Sequence, residues 1–340
     1  MKSEKNHNYA LLKRNSSKSK SFFRKKLQQI RLVGLVFKDI SRFSRTAAFS
    51  FSNQNIDALE ARVMYNVHAI EKGLSRTKNR RHGFGKKALA DLNDSLVLYL
   101  QNDYPIEKYA FQQGISILHE YRKSHKNSDL LNFNKVIDKS LLNFKFENVK
   151  NGYLTVRKED KLNNKEKNFF ELSQSRVSVR EFSEEKIELS QIMNAIKIAE
   201  KTPSVCNRQG WKVYCVINEE KIDKLLQLQL GFDNYGERPS AVLGIAVSNE
   251  TLLSPVERNE AFVDGGLFSM SVLYALEYEK VATVALNAMM NSSQEDAIRR
   301  LLAVEDAHQL IVFIAVGSFL DEGISPVSAR RPSSEFVKVI

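Results

Sequence analysis

The chain has 340 residues, and its 51 Lys+Arg against 40 Asp+Glu give a formal charge of +11. The first fifty residues hold 13 basic and 2 acidic side chains, residues 51–165 hold 20 and 13, and residues 166–340 hold 18 and 25, so the net excess equals the charge of the first fifty alone. That distribution argues against a domain-wide nucleic-acid interface, two cysteines (Cys206 and Cys215) form neither a disulfide framework nor a zinc spacing, and no stretch approaches the roughly 18 apolar residues of a membrane span.

Residues 1–20, serines among lysines and asparagines, are too polar to bury a core and are predicted disordered. From Phe22 to Phe43 apolar residues recur at three- and four-residue steps between Arg24, Lys25, Lys26, Arg31, Lys38 and Arg42, the pattern of a basic amphipathic helix. Such a helix either attaches to an anionic membrane face or partner groove, or packs on its own protein with a solvated basic side. No secretory leader is expected, because the basic residues interrupt the only apolar zone; a cytoplasmic protein, peripheral at the inner membrane face if this arm binds lipid, is the expectation. Periodicity predicts further helices at 57–74, 86–101, 106–125 and 129–143, with no strand before residue 150. Residues 51–150 therefore read as an all-helical extension, and the charged stretch 144–167 as a linker. From residue 166 on, helices at 166–174, 188–201, 219–229, 257–279 and 293–303 alternate with strands at 211–217, 241–248, 281–286 and 309–317. Residues 166–340 are thus predicted to be an α/β or α+β domain.

Several sites dissolve on inspection. Gly83-Phe84-Gly85 approaches a dinucleotide fingerprint but follows a polar run instead of a strand, so it reads as a loop opening a helix. His68 and Glu71 share a helix face without further metal ligands, which makes a bonded histidine the expectation and metal binding not. Cys206 has no neighbouring base in sequence and is expected to pack; Trp211 is expected in the core. Stronger signals follow. Arg176, Ser178 and Arg180 present two guanidinium groups flanking a hydroxyl, and Arg330-Arg331 offers a second basic pair. The two clusters either converge on one phosphate or are separate solvated runs. Between them Asn207 and Gln209 carry carboxamides suited to the edge of a heterocycle.

Together these segments resemble the nitroreductase superfamily of FMN-dependent, homodimeric oxidoreductases. Arg176, Ser178, Arg180 and Phe182 fill an Arg-x-Ser-x-Arg/Lys-x-Phe motif. Pro203, Ser204, Asn207, Gln209 and Trp211 fill Pro-Ser-x-x-Asn-x-Gln-Pro-Trp, with Gly210 in place of the second proline. Leu286 and Asn287 match a third segment whose glycines are absent here, and Arg330-Arg331-Pro332 with Glu335 matches the closing motif. The resemblance implies a three-layer α/β/α domain with a mostly antiparallel central sheet. It implies Arg176, Ser178, Arg330 and Arg331 toward the FMN phosphate and ribityl chain, Arg180 at the pyrimidine edge, and Pro203, Ser204, Asn207, Gln209 and Asn287 around the ring, some from a second subunit. It also implies NAD(P)H as donor, a small-molecule acceptor and no nucleic-acid partner. The segments Glu71-Lys72-Gly73-Leu74-Ser75 and Arg81-His82-Gly83-Phe84-Gly85 resemble an extension found on nitroreductase-like proteins of bacterial polysaccharide biosynthesis.

Overall fold

The computed structural model describes residues 25–49, 55–77, 83–147, 149–232 and 237–340. The expected disordered stretch 1–20 and the basic run 78–82 lie outside these. Helix α1 covers residues 25–46. Its apolar stripe does not pack on the protein: Ile30, Val33, Phe37, Ile40 and Phe43 are exposed, Val33 at 70% and Phe37 at 72%. It is tied down by polar contacts, an ion pair of Asp39 with Arg258 at 2.6 Å and the Arg62 guanidinium donating to the Ala48 carbonyl at 2.8 Å.

Three helices follow, α2 (Ile56–Leu74), α3 (Lys86–Gln101) and α4 (Tyr109–Lys123). Asn55 caps α2 by accepting from the Asp57 N–H, and Gly85 opens α3 in the left-handed conformation, φ 76°. Their apolar stripes meet in one core, with Leu59, Val63 and Ile70 of α2 against Leu89, Leu92 and Leu96 of α3 and Phe111, Ile115 and Leu118 of α4. Gly114 permits the close approach: a Cβ there would meet Leu96 at 2.8 Å and Val63 at 3.0 Å. The helix expected at 129–143 is broken. Only α5 (Leu131–Val136) is α-helical, because Ile137 is extended and Asp138 turns its carboxylate onto the Ser140 N–H, a local bond that competes with the helical ladder.

The predicted linker also holds structure. Strand β1 (Tyr153–Arg157) pairs antiparallel with β6 (Glu322–Pro326), Tyr153 opposite Pro326. Neither strand was expected; both are short, and β6 carries Gly323 and Pro326, which mask the period-two signal.

The remaining elements are α6 (Phe169–Ser175), α7 (Leu189–Ala199), β2 (Trp211–Val216), α8 (Glu219–Gln229), β3 (Ala241–Ser248), α9 (Glu260–Tyr278), β4 (Ala282–Asn287), α10 (Ser292–Leu302) and β5 (His308–Gly317). Four strands form one antiparallel sheet in the order β2-β3-β5-β4. Strand β3 is buried on both faces. Its Val242 and Ala246 meet α8 and α10 through Ile222, Leu225 and Ile298, and its Leu243 and Ile245 meet α7 and α9 through Ile192, Phe268 and Leu276. The domain is therefore three layers, helices on either side of an antiparallel sheet, as the resemblance implied.

The segment after β1 is locked to α9 by a buried network. Lys161 pairs with Glu277 at 2.7 Å, and both side chains are nearly inaccessible. Asn164 donates to the Glu277 carbonyl at 2.6 Å, and the Ser175 hydroxyl to its carboxylate at 3.2 Å. Removing one partner of such a pair leaves an uncompensated buried charge. Glu277→Ala is expected to lower unfolding free energy by about 3–5 kcal/mol, while Lys161→Met with Glu277→Leu costs much less; urea denaturation of the two variants checks this.

Candidate functional site

The first motif runs in extended conformation between α6 and α7 along the free edge of β4. Ser178 bridges Thr283 in parallel, and the Val179 N–H donates to the Thr283 carbonyl at 2.8 Å. Alternation puts Val179, buried, on one side of the extended backbone and Arg176, Ser178 and Arg180 on the other; Phe182, on the parity of the arginines, is buried as well. Phe182 stacks on Phe232, ring centres 5.8 Å apart, so its motif position is structural. Arg176 is half-buried and makes no hydrogen bond or ion pair among the described residues; burial, and Arg330 nearby, pull its guanidinium below the usual arginine range, with Glu277 opposing. Arg180 donates to the Ser178 carbonyl at 3.3 Å, and the Ser325 hydroxyl donates to the same carbonyl at 2.8 Å.

The closing segment returns from β6 to this place. Arg330, exposed and near Arg176, also bonds the Ser328 carbonyl. Arg331 turns the other way. It pairs at 3.0 Å with Glu60, a buried carboxylate of α2, while Glu335 accepts the Tyr109 N–H at the start of α4 at 2.9 Å. Arg330 is thus within electrostatic reach of Arg176, and the second guanidinium fastens the segment to the helical extension.

The second motif is a strained loop. Cys206, Asn207 and Gln209 take positive φ of 49°, 55° and 51°, a region costly for side chains with a Cβ. Asp264 of α9, buried, accepts the Val205 N–H at 3.0 Å. Arg208 clamps the loop to the Thr251 carbonyl at 2.6 Å and to Glu257 at 3.0 Å, and the Ser204 hydroxyl accepts the Gln209 N–H at 2.9 Å. Pro203, Asn207 and Gln209 are left exposed. Cys206 is exposed as well, against the expectation that it packs, because the left-handed backbone turns it off the core. Trp211 is half-buried and stacks on Phe268 at 4.8 Å. Gly210 is required where the motif has proline: a Cβ would meet the Thr251 hydroxyl at 2.5 Å.

Asn287 ends β4 on an exposed position, its carbonyl accepting from Gln229 at 3.1 Å. Upstream, where glycines were missed, Lys280 itself takes φ 63° and stops α9, with the Val281 N–H bonded back to the Leu276 carbonyl at 2.9 Å. A glycine at that point serves helix termination, and lysine accepts the strain.

Within the chain the two motifs do not meet. The loop at 203–209 is held by Asp264 and the first motif lies by Glu277, positions about 20 Å apart along α9 at 1.5 Å per residue.

Residues 174–318 match the family model described as Nitroreductase family. These residues form a nitroreductase-family domain. Similar solved structures include a nitroreductase-like protein from Streptococcus mutans (21% identity, 51% of this chain and 98% of that one, TM-score 0.44). A nitroreductase family protein from Clostridium novyi (16%, 46% and 87%, 0.40) and an FMN-dependent nitroreductase from Clostridium difficile (16%, 44% and 87%, 0.39) are also similar. No curated protein matches the chain.

Sequence reasoning passed over the residues that hold this candidate site in place: Asp264, Arg208, Glu60 and Glu277. Buried carboxylates within helical stripes carry no local signal; only their distant partners reveal them. Arg331→Ala is expected to destabilise the protein by about 3 kcal/mol or more, since Glu60 loses its buried partner, whereas Arg330→Ala stays within about 0.5 kcal/mol. Chemical denaturation distinguishes the two.

Proposed function

We propose that the chain is an FMN-dependent oxidoreductase of nitroreductase type, acting as a homodimer on NAD(P)H and a small acceptor such as a quinone or nitroaromatic. The observation that carries this reading is the Arg176 guanidinium, half-buried beside Arg330 and without a bond among the described residues. Two converging guanidinium groups suit a phosphate dianion, and the family of residues 174–318 supports FMN as its source. Arg176 and Arg330 would hold the phosphate, Ser178 the ribityl chain, and Asn207 and Gln209 the ring. When bound, FMN supplies the redox chemistry, which the protein's polar side chains cannot. Arg180 would hold a fixed positive charge at the pyrimidine edge and so favour electron density on the ring, at no cost of reorganisation. No side chain is assigned as acid, base or nucleophile.

The homodimer is supported by α9. Its outer face exposes Phe262, Val263 and Leu267, and nothing lies within 4 Å of a Cβ built on Gly266. A second copy packed antiparallel on this stripe would bring the Asp264 end of one helix to the Glu277 end of the other, uniting the half-sites. The α1 stripe, apolar and flanked by Lys25, Lys26, Arg31 and Lys38, supports peripheral contact with an anionic membrane face at the inner side of the cell membrane; among the described residues no helix is long and apolar enough to cross one. The resemblance of the α2 end and of the loop before α3 to polysaccharide-associated extensions supports a place in cell-envelope glycan metabolism. A redox-silent binding protein of the same fold is the alternative.

The purified protein is expected to be yellow and to bind FMN, and Arg176→Ala to weaken binding by about 1.5–3 kcal/mol; a colourless protein without uptake in a fluorescence titration would sink the reading. NAD(P)H consumption with a quinone separates enzyme from binding protein. Leu267→Glu is expected to give monomers by light scattering and to lose FMN together with the dimer. Deleting residues 1–50 is expected to abolish sedimentation with phosphatidylglycerol vesicles while FMN binding survives.

A further inference from the structure

The nitroreductase-family match begins at residue 174, yet the helical extension touches both arms of the site. On α2, His68 and Lys72 stand four residues apart and so lie on one face, and Arg76 follows just past the helix end. At the early end of this face, the His68 Nδ1 lies 3.4 Å from the Ser328 hydroxyl, two residues before Arg330. At the far end, the Thr77 N–H donates to Glu181 at 3.0 Å and the Thr77 hydroxyl bonds the other carboxylate oxygen, immediately after Arg180. Glu60 and Tyr109 grip Arg331 and Glu335 beyond. The face is therefore pinned across the gap between the closing segment and the first motif, with Lys72 in the middle.

Lys72 is half-buried, and its ammonium has no hydrogen bond or ion pair among the described residues. Its electrostatic neighbours are Arg180 and Arg76, which together with burial pull it below the usual lysine range. A fold gains nothing from gathering cations around an unpaired ammonium. An electron-rich ligand at the same point makes the arrangement favourable, since the ammonium then contributes a charge-assisted hydrogen bond.

We propose that α2 is a wall of the flavin site and that Lys72 is an additional binding residue, donating to the carbonyl edge of the FMN pyrimidine alongside Arg180. This rests on the flavin reading above, and it adds a residue from outside the family domain. On this account the extension is a component of the cofactor site, which the nitroreductase domain alone leaves open on one side. A second cation at that edge also favours the form of the ring that carries the added negative charge, so it raises the reduction potential of the bound flavin.

The test uses the full-length protein with wild-type, Lys72→Met and Lys72→Arg forms, each checked for fold by circular dichroism. Lys72→Met is expected to raise the Kd for FMN about tenfold, the effect of one charged hydrogen bond, and to shift the midpoint potential of the remaining bound flavin to a more negative value; Lys72→Arg is expected to restore both. Wild-type affinity and potential in Lys72→Met would overturn the proposal even where its KM for an anionic acceptor rises, since that pattern assigns the ammonium to the acceptor. If wild-type protein takes up no FMN, the flavin reading itself fails; if it does and Lys72→Met is unchanged, only the present inference fails.

Discussion

Helix α9 carries two buried carboxylates, and the geometry of the site hangs on them. Asp264 sits near its start and fixes the 203–209 loop through the Val205 N–H. Glu277 sits near its end and neutralises Lys161, while its field reaches Arg176. Both are buried in a helix whose inner face is packed against the sheet and α7, so neither carboxylate can move without disturbing the core. Carboxylates taken out of water are tolerated only with hydrogen-bonded partners, and here those partners are the backbone and side chains that position the motifs. Core and site are therefore one electrostatic problem.

The regular half of the molecule was legible in the sequence. Helix α8 and strand β3 fall on the residues that periodicity gave them, since a continuous apolar run and an Asn-capped amphipathic stretch have few other solutions. The motif residues Arg176, Ser178 and Arg180 were visible because the chain repeats one chemical pattern at alternate positions. What the sequence hid depends on distance. Strands β1 and β6 are separated by the whole domain and carry weak alternation, so each looks like loop until the other is beside it. The Glu60–Arg331 pair joins positions 60 and 331 with nothing in either neighbourhood to announce it. Near 280 the glycines of the resembled segment are absent, yet Lys280 takes φ 63°, a left-handed conformation that a residue's identity does not announce.

The extension changes meaning in this light. A helical unit preceding a catalytic domain suggests a detachable module with its own core, and α2, α3 and α4 do enclose one. Their outward polar residues, however, are engaged with the domain by Thr77, His68, Glu60 and Tyr109. Helix α1 differs: its described contacts to the body are few and polar, and its apolar stripe stays outside. Arm and extension, adjacent in sequence, are thus bound to the body by different physics, one suited to separation and the other to permanence.

The pairing of β1 with β6 has a consequence for how the protein comes into being. The first strand of the chain waits for a partner about 170 residues later, Tyr153 opposite Pro326, and Arg331 and Glu335 reach back further still to Glu60 and Tyr109. Contacts of such separation form late, because the closure entropy is met before any reward is collected. During synthesis the helical core can consolidate early, while the surface that receives Arg331 stays open until that residue has left the ribosome. Completion of the fold then trails the helical core by the time needed to make the intervening domain, and partly synthesised chains would hold a formed helical core beside an unfinished domain.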